Sequence, residues 1–104
     1  MIDDGMKKAI ELLANEELIR ANMRFPQFAS THEGYSVLKE EIEEVNEENE
    51  NMNFYLETLW KEIKANNENG DLIETIQAMK CRVILNASEC IQVIAMCDKL
   101  INIL

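Results

Sequence analysis

Glycine and proline are nearly missing from this chain, which has three glycines and one proline among 104 residues. A protein of strands and tight turns needs more of both, so the composition points to helices. No uncharged apolar run approaches the ~18 residues that span a bilayer. The start, Met1-Ile-Asp-Asp-Gly5, lacks a basic stretch followed by an apolar one, so no signal peptide is expected. The three cysteines, Cys81, Cys90 and Cys97, are odd in number and make no Cys-x-x-Cys pair. That argues against a disulfide framework and a zinc site, and their helical setting predicts small buried hydrophobes in a reducing cytoplasm. With His32 as the one histidine, the sequence counts against a di-iron carboxylate bundle, which needs Glu-x-x-His on two helices. Cations are scarce as well: ten Lys and Arg face twenty Asp and Glu, a formal charge of -10. This balance argues against direct binding to nucleic acid or to an anionic membrane. It suits binding of a cation, through which an anionic substrate could approach.

What remains is apolar and helical. Hydrophobic residues make up 47% of the chain, enough for one modest core, so residues 1–104 read as a single all-α domain. A first helix is expected from about Asp4 to Arg24, capped by Asp3 or Asp4 and ended by Phe25-Pro26. Met6, Ile10, Leu12, Leu13, Leu18, Ile19 and Met23 give it a broad apolar face. Ser30-Thr-His-Glu33 is a capping box that opens a second helix, expected over Thr31–Asn66. That helix carries a heptad ladder: Leu38, Ile42, Val45, Asn49, Met52, Leu56, Leu59 and Ile63. Weak helix formers between Asn46 and Asn53 leave room for a bend or break there, and Asn66-Asn-Glu-Asn-Gly70-Asp71 is the clearest turn.

The third helix, expected over Leu72–Leu104, has two apolar stripes. One is a ladder through Ile73, Ile76, Lys80, Val83, Ala87, Cys90, Ile94, Cys97, Ile101 and Leu104; the other holds Leu72, Met79, Val93, Met96 and Leu100. A helix apolar on two sides must be covered on two sides. The first helix is too short to do all of it, so oligomerisation is expected to complete the bundle. Trp60 and Tyr55 sit among Leu56, Leu59 and Ile63 and are expected to pack in a core or interface.

The chemistry lies in the carboxylates. Residues three or four apart share a helix face, so Glu41, Glu44 and Glu48 line up, while Glu40 and Glu43 point further round. Like charges at that spacing repel unless solvent screens them or a cation sits among them. Glu89 is the second feature, an acid amid Ile84, Leu85, Ile91 and Val93. Such a group needs a partner. Antiparallel packing of the second and third helices brings Glu41, Glu44, Glu89 and Gln92 together. Oxygen donors of this kind suit Mg²⁺ or Mn²⁺, not zinc or copper.

The stretch from His32 to Val45 (HEGYSVLKEEIEEV), with Ser88 to Met96 (SECIQVIAM), resembles the MazG-like nucleotide pyrophosphohydrolases, most closely the small phage and prophage forms. The resemblance covers roughly residues 30–100. It implies an all-α fold that assembles as a homodimer or homotetramer in the cytoplasm. It also implies Mg²⁺-dependent cleavage of nucleoside triphosphates to monophosphate and pyrophosphate. The family pairs Glu-Glu-x-x-Glu on one helix with Glu-x-x-Asp on the next. Glu40, Glu41 and Glu44 match the first motif, Glu89 matches half of the second, and Gln92 stands at the aspartate position. On this reading Glu41, Glu44 and Glu89, with Gln92, hold the metal, and Glu40 orients the water or a ligand. The downstream basic and amide residues of larger relatives are missing here, which leaves Lys39 or Lys61, or else Lys80 or Arg82, to meet the phosphates. The neutral Gln92 sustains a second reading from another class: a non-catalytic helical oligomerisation or regulatory module that keeps the MazG-like fold.

Overall fold

The computed structural model describes residues 3–66 and 69–104. Helices α1 (Asp4–Arg24), α2 (Thr31–Lys64) and α3 (Asn69–Ile101) make up the architecture, with no strand among the described residues. Residues 1 and 2 of the expected signal-free start, and residues 67 and 68 of the expected turn, lie outside that description. Asn66, where the chain leaves α2, takes a left-handed φ of 55°, a conformation asparagine tolerates better than most residues.

Local chemistry explains the helix ends. The Asp3 carboxylate accepts from the Met6 amide at 2.8 Å and so caps α1. Phe25 is extended ahead of Pro26 and terminates it. At α2 the Ser30 hydroxyl accepts from the Glu33 amide at 3.1 Å. The return half of the box goes from the Ala29 amide to Glu33 Oε1 at 3.2 Å, one residue upstream of the usual donor. The stretch from Asn46 to Asn53, where a bend or break could fall, is continuous helix, and α2 runs unbroken. Its asparagines bond sideways instead of competing for the backbone: Asn86 donates to Asn49 at 2.9 Å, and Asn51 donates to Glu48 at 3.5 Å.

α2 and α3 pair as an antiparallel hairpin in a molecule 56 Å long, and α1 packs on α3. The core sits at one end, where Phe28, Ala95 and Met96 are buried against Leu18, Val37, Leu38 and Leu100. Gly34 is buried there too. A Cβ on it would come within 2.5 Å of Leu100 Cδ1 and 3.2 Å of Phe28 Cδ2. Gly34→Ala is therefore expected to destabilise the fold by about 1–3 kcal/mol through overpacking. A lower urea midpoint at unchanged m-value would register this, and an unchanged midpoint would show that Leu100 yields without cost.

The apolar stripes fall differently from the sequence expectation. The α2/α3 seam carries polar contacts among its half-buried apolar side chains. Thr75 donates to Glu62, Asn86 to Asn49, and Arg82 pairs with Glu48 at 3.6 Å. The second stripe of α3, Leu72, Met79, Val93, Met96 and Leu100, is the buried or half-buried one. Its heptad ladder faces outward, exposed at every position except Ile94. On α2 the ladder is half-buried at Leu38, Val45, Met52 and Leu59 but exposed at Ile42, Leu56 and Ile63. A 3.5-residue repeat drifts about 20° per heptad on a straight helix, so a long ladder cannot stay on one contact line.

Other side chains shift accordingly. α1 rests on a single helix and buries only a narrow stripe around Ala14, leaving Met6, Leu12, Leu13, Ile19 and Met23 exposed. Cys81, Cys90 and Cys97 are exposed, against the expectation of burial. Trp60 is 58% exposed with Lys64 Nζ 5.4 Å from its ring centre, and Tyr55 is half-buried with its ring edge-on to Phe54. No helix among the described residues is long and apolar enough to cross a membrane.

Candidate metal centre

Three carboxylates from two helices converge on the hairpin. Glu41 and Glu44 lie one turn apart on α2, and Glu89 reaches them from α3. Each is half-buried, and one oxygen from each lies within 4.8 Å of the others. The polar contacts of the seam set this meeting. The Asn49–Asn86 bond and the Glu48–Arg82 pair lie one to two turns away and hold the register in which Glu89 comes opposite Glu41 and Glu44.

Gln92 is part of the cluster. With its amide nitrogen inward it donates to Glu41 Oε2 at 3.0 Å and to Glu89 Oε2 at 3.2 Å. The opposite orientation would set a carbonyl oxygen against two carboxylates. Gln92 thus ties the two helices together at the site and leaves its own oxygen pointing out of the pair.

Crowding alters the acidity of these groups. Glu89 is pushed up to about 7, first by partial burial, then by its hydrogen bond to Glu44 and the charges of Glu44 and Glu41. Glu41 is raised as well, first by burial and then by the charges of Glu44 and Glu40, with Glu17 of α1 adding a little. Near neutral pH the cluster therefore tends to keep a proton, shared through Glu89. A set of carboxylates that recruits a proton is one that a divalent cation can stabilise. The all-oxygen donor set fits Mg²⁺ or Mn²⁺.

The remaining expected site residues lie outside this cluster. Glu40 is exposed and acts on it only through its charge. Lys39 is two residues from Glu41, hence on another side of the helix, and pairs with Glu43 at 2.7 Å. That bond raises its pKa. Lys61 is exposed near the far end of α2, about 25 Å of helix rise from Glu44. Lys80 is exposed on the outward ladder, and Arg82 is taken up by Glu48.

The cations near the cluster are others. A cleft of about 1020 Å³ opens between the end of α1, the 25–29 connector and the α2/α3 pair, with Glu41 and Gln92 in its wall. Arg20, Arg24 and Lys99 line it too. Arg20 pairs with Glu17 at 2.8 Å. Lys99, 5% exposed, donates to the Phe25 carbonyl at 2.6 Å and sits 5.0 Å from the Phe28 ring centre, so it fastens the connector to α3. Arg24 makes no ion pair among the described residues. The i, i+4 spacing of Arg20 and Arg24 on α1 was the available sequence signal, but nothing local connects α1 to a motif that begins at Glu40.

No family model matches this chain, and no match was found among curated proteins or solved structures.

Proposed function

We propose that this chain is a Mg²⁺-dependent hydrolase that splits nucleoside triphosphates into monophosphate and pyrophosphate, as its resemblance to the MazG-like enzymes implies. The observation that carries the reading is the convergence of Glu41, Glu44 and Glu89, where partial burial first, and then the hydrogen bond and charges of its neighbours, lead Glu89 to hold a proton near pH 7. These three carboxylates would hold Mg²⁺, or Mn²⁺ in its place. Bound there, the ion would neutralise polyphosphate charge and polarise a water. The chain's own residues supply the rest. Gln92 keeps Glu41 and Glu89 at a fixed spacing through its two donated bonds. Glu40, outside the cluster, holds Glu41 basic through its charge. The adjoining cleft is large enough for a nucleotide, and it gathers Arg20, Arg24 and Lys99, three of only ten cations in a chain of charge -10. Arg24, with no acidic partner among the described residues, is the one placed to meet phosphate oxygens.

The test is incubation with a panel of canonical and modified nucleoside triphosphates plus Mg²⁺, read as released pyrophosphate. Release by the wild type and its loss in Glu41→Gln/Glu89→Gln is the expected result. No release by the wild type, or equal release by the variant, overturns the reading. The second reading, a non-catalytic oligomerisation or regulatory module, draws support from neutral Gln92 and the outward apolar ladders. It predicts no rise in melting temperature with Mg²⁺ or Mn²⁺, whereas a ligand that binds only the folded state raises it with concentration.

A further inference from the structure

We propose that Glu17 of α1 is an outer carboxylate of the metal centre, supplying from a third helix the negative charge that Gln92 lacks, and that Arg20 is released to a polyphosphate when Glu17 turns to the ion. The metal and the anion are those of the hydrolase reading, on which this assignment rests. Ala14 is buried and Leu18 and Ala21 are half-buried, so they mark the stripe of α1 that packs on α3. Glu17 lies three residues after Ala14 and four before Ala21, on that same stripe. It is half-buried there, whereas Asp4, Glu11 and Glu16, the other acids of α1, are exposed. Helical periodicity favours an apolar residue at such a position. Arg20 pairs with Glu17 at 2.8 and 3.2 Å, yet the arginine side chain is 64% exposed against 27% for the acid. An ion pair with so exposed a partner contributes little to stability, and it does not explain an acid turned inward.

What Glu17 faces is the cleft, whose wall it shares with Glu41 and Gln92. It is the one residue outside α2 and α3 whose charge is felt at Glu41. Both Arg20 bonds end on Glu17 Oε2, which leaves Oε1 without a protein partner among the described residues. The centre itself is short of charge, because Gln92 donates its amide hydrogens to Glu41 and Glu89 and stays neutral. Glu17 is not one of the three carboxylates that meet within 4.8 Å, so its place is outside them. Mg²⁺ keeps several waters when protein binds it. A carboxylate one water removed accepts hydrogen bonds from that shell and strengthens the hold on the ion. Arg20 and the ion therefore compete for one carboxylate. Once Glu17 turns to the ion, the Arg20 guanidinium is free, one helical turn from Arg24, and the two offer a pair of forks to phosphate oxygens. Ion and polyphosphate then each raise the affinity of the other.

Glu17→Gln tests this, since the amide keeps the shape and removes the charge. Glu16→Gln is the control, the same charge change one residue away on the exposed side of α1. In calorimetric titration with Mn²⁺ and no nucleotide, Glu17→Gln should bind about tenfold more weakly than wild type, and Glu16→Gln within about twofold of it. In chelator, inorganic pyrophosphate should bind Glu17→Gln more tightly than wild type, because Arg20 is already free, and Glu17→Gln/Arg20→Gln should lose that gain. Wild-type affinity for Mn²⁺ in Glu17→Gln overturns the proposal. So does an equal loss in Glu16→Gln, which would make the effect one of net charge. Pyrophosphate binding no tighter in Glu17→Gln overturns the release of Arg20. These titrations are separate from hydrolysis: a wild type that binds Mn²⁺ yet releases no pyrophosphate from any triphosphate overturns the hydrolase reading and leaves the role of Glu17 at the ion to the variants. A wild type that takes up no Mn²⁺ overturns both.

Discussion

Glu89→Gln should cut hydrolysis by on the order of 10³-fold while making the metal-free protein more stable. The two effects have one origin. Removing a carboxylate from a cation site costs several kcal/mol of charge stabilisation in the transition state. Without the cation, the same carboxylate is a liability. The fold holds the Glu89 proton up to about pH 7, whereas the unfolded chain releases it near 4.5. Between those values the native state binds more protons than the unfolded state, so stability falls as pH rises through the window and levels off above it. Solvent reaches the site, so the full shift is discounted to about 1 kcal/mol, a Tm loss of about 4–8 °C in a domain of this size. The amide of Gln stays neutral throughout and can donate to Glu44 as the protonated acid does. Melting curves of wild type and variant in chelator at pH 5 and pH 8 would decide it. The wild type should lose stability across the interval, and the variant should lose clearly less, since only the smaller contribution of Glu41 remains. A wild type equally stable at both pH values would mean that Glu89 ionises freely and the cluster is not strained.

Much of the local structure was legible in the sequence. The bounds of α1 follow from Asp3 and Phe25-Pro26, and the start of α2 from Ser30 and Glu33, because caps and breakers act within four residues. The two ladders were legible as stripes, but their destination was not. Periodicity states that a face is apolar and is silent on which surface covers it. Here the pairing of α2 with α3 is drawn instead to Glu48, Asn49 and Glu62, whose partners Arg82, Asn86 and Thr75 are 13 to 37 residues away in the chain. The same limit applies at the site. Glu41 and Glu44 share a motif and a helix face, so they could be read together. Arg20, Arg24 and Lys99 reach the cleft only because α1 and the 25–29 connector fold back on α3, as the 74-residue Lys99–Phe25 contact shows. The expected cations, Lys39 and Lys61, were chosen for closeness in sequence, and helix geometry turns one aside and carries the other away.

Gln92→Asp should strengthen Mn²⁺ binding by about 10–100-fold and weaken the metal-free fold. The first effect adds a fourth negative oxygen donor beside Glu41 and Glu89, worth about 1.4–2.8 kcal/mol after repulsion among the acids takes its share. The second follows from the bonds removed. Gln92 donates to Glu41 at 3.0 Å and Glu89 at 3.2 Å, and an ionised aspartate donates nothing. It would add a charge to a pair already raised in pKa by burial and by neighbouring carboxylates. The melting temperature in chelator should therefore drop below wild type, and saturating Mn²⁺ should reverse the order. Calorimetric titration with Mn²⁺ and melting curves with and without the ion measure both effects on one sample. Tighter binding with faster pyrophosphate release would make Gln92 a position that limits activity in this chain. Unchanged affinity with a lowered metal-free Tm would instead leave Gln92 as a strut between α2 and α3, holding carboxylates that act without it.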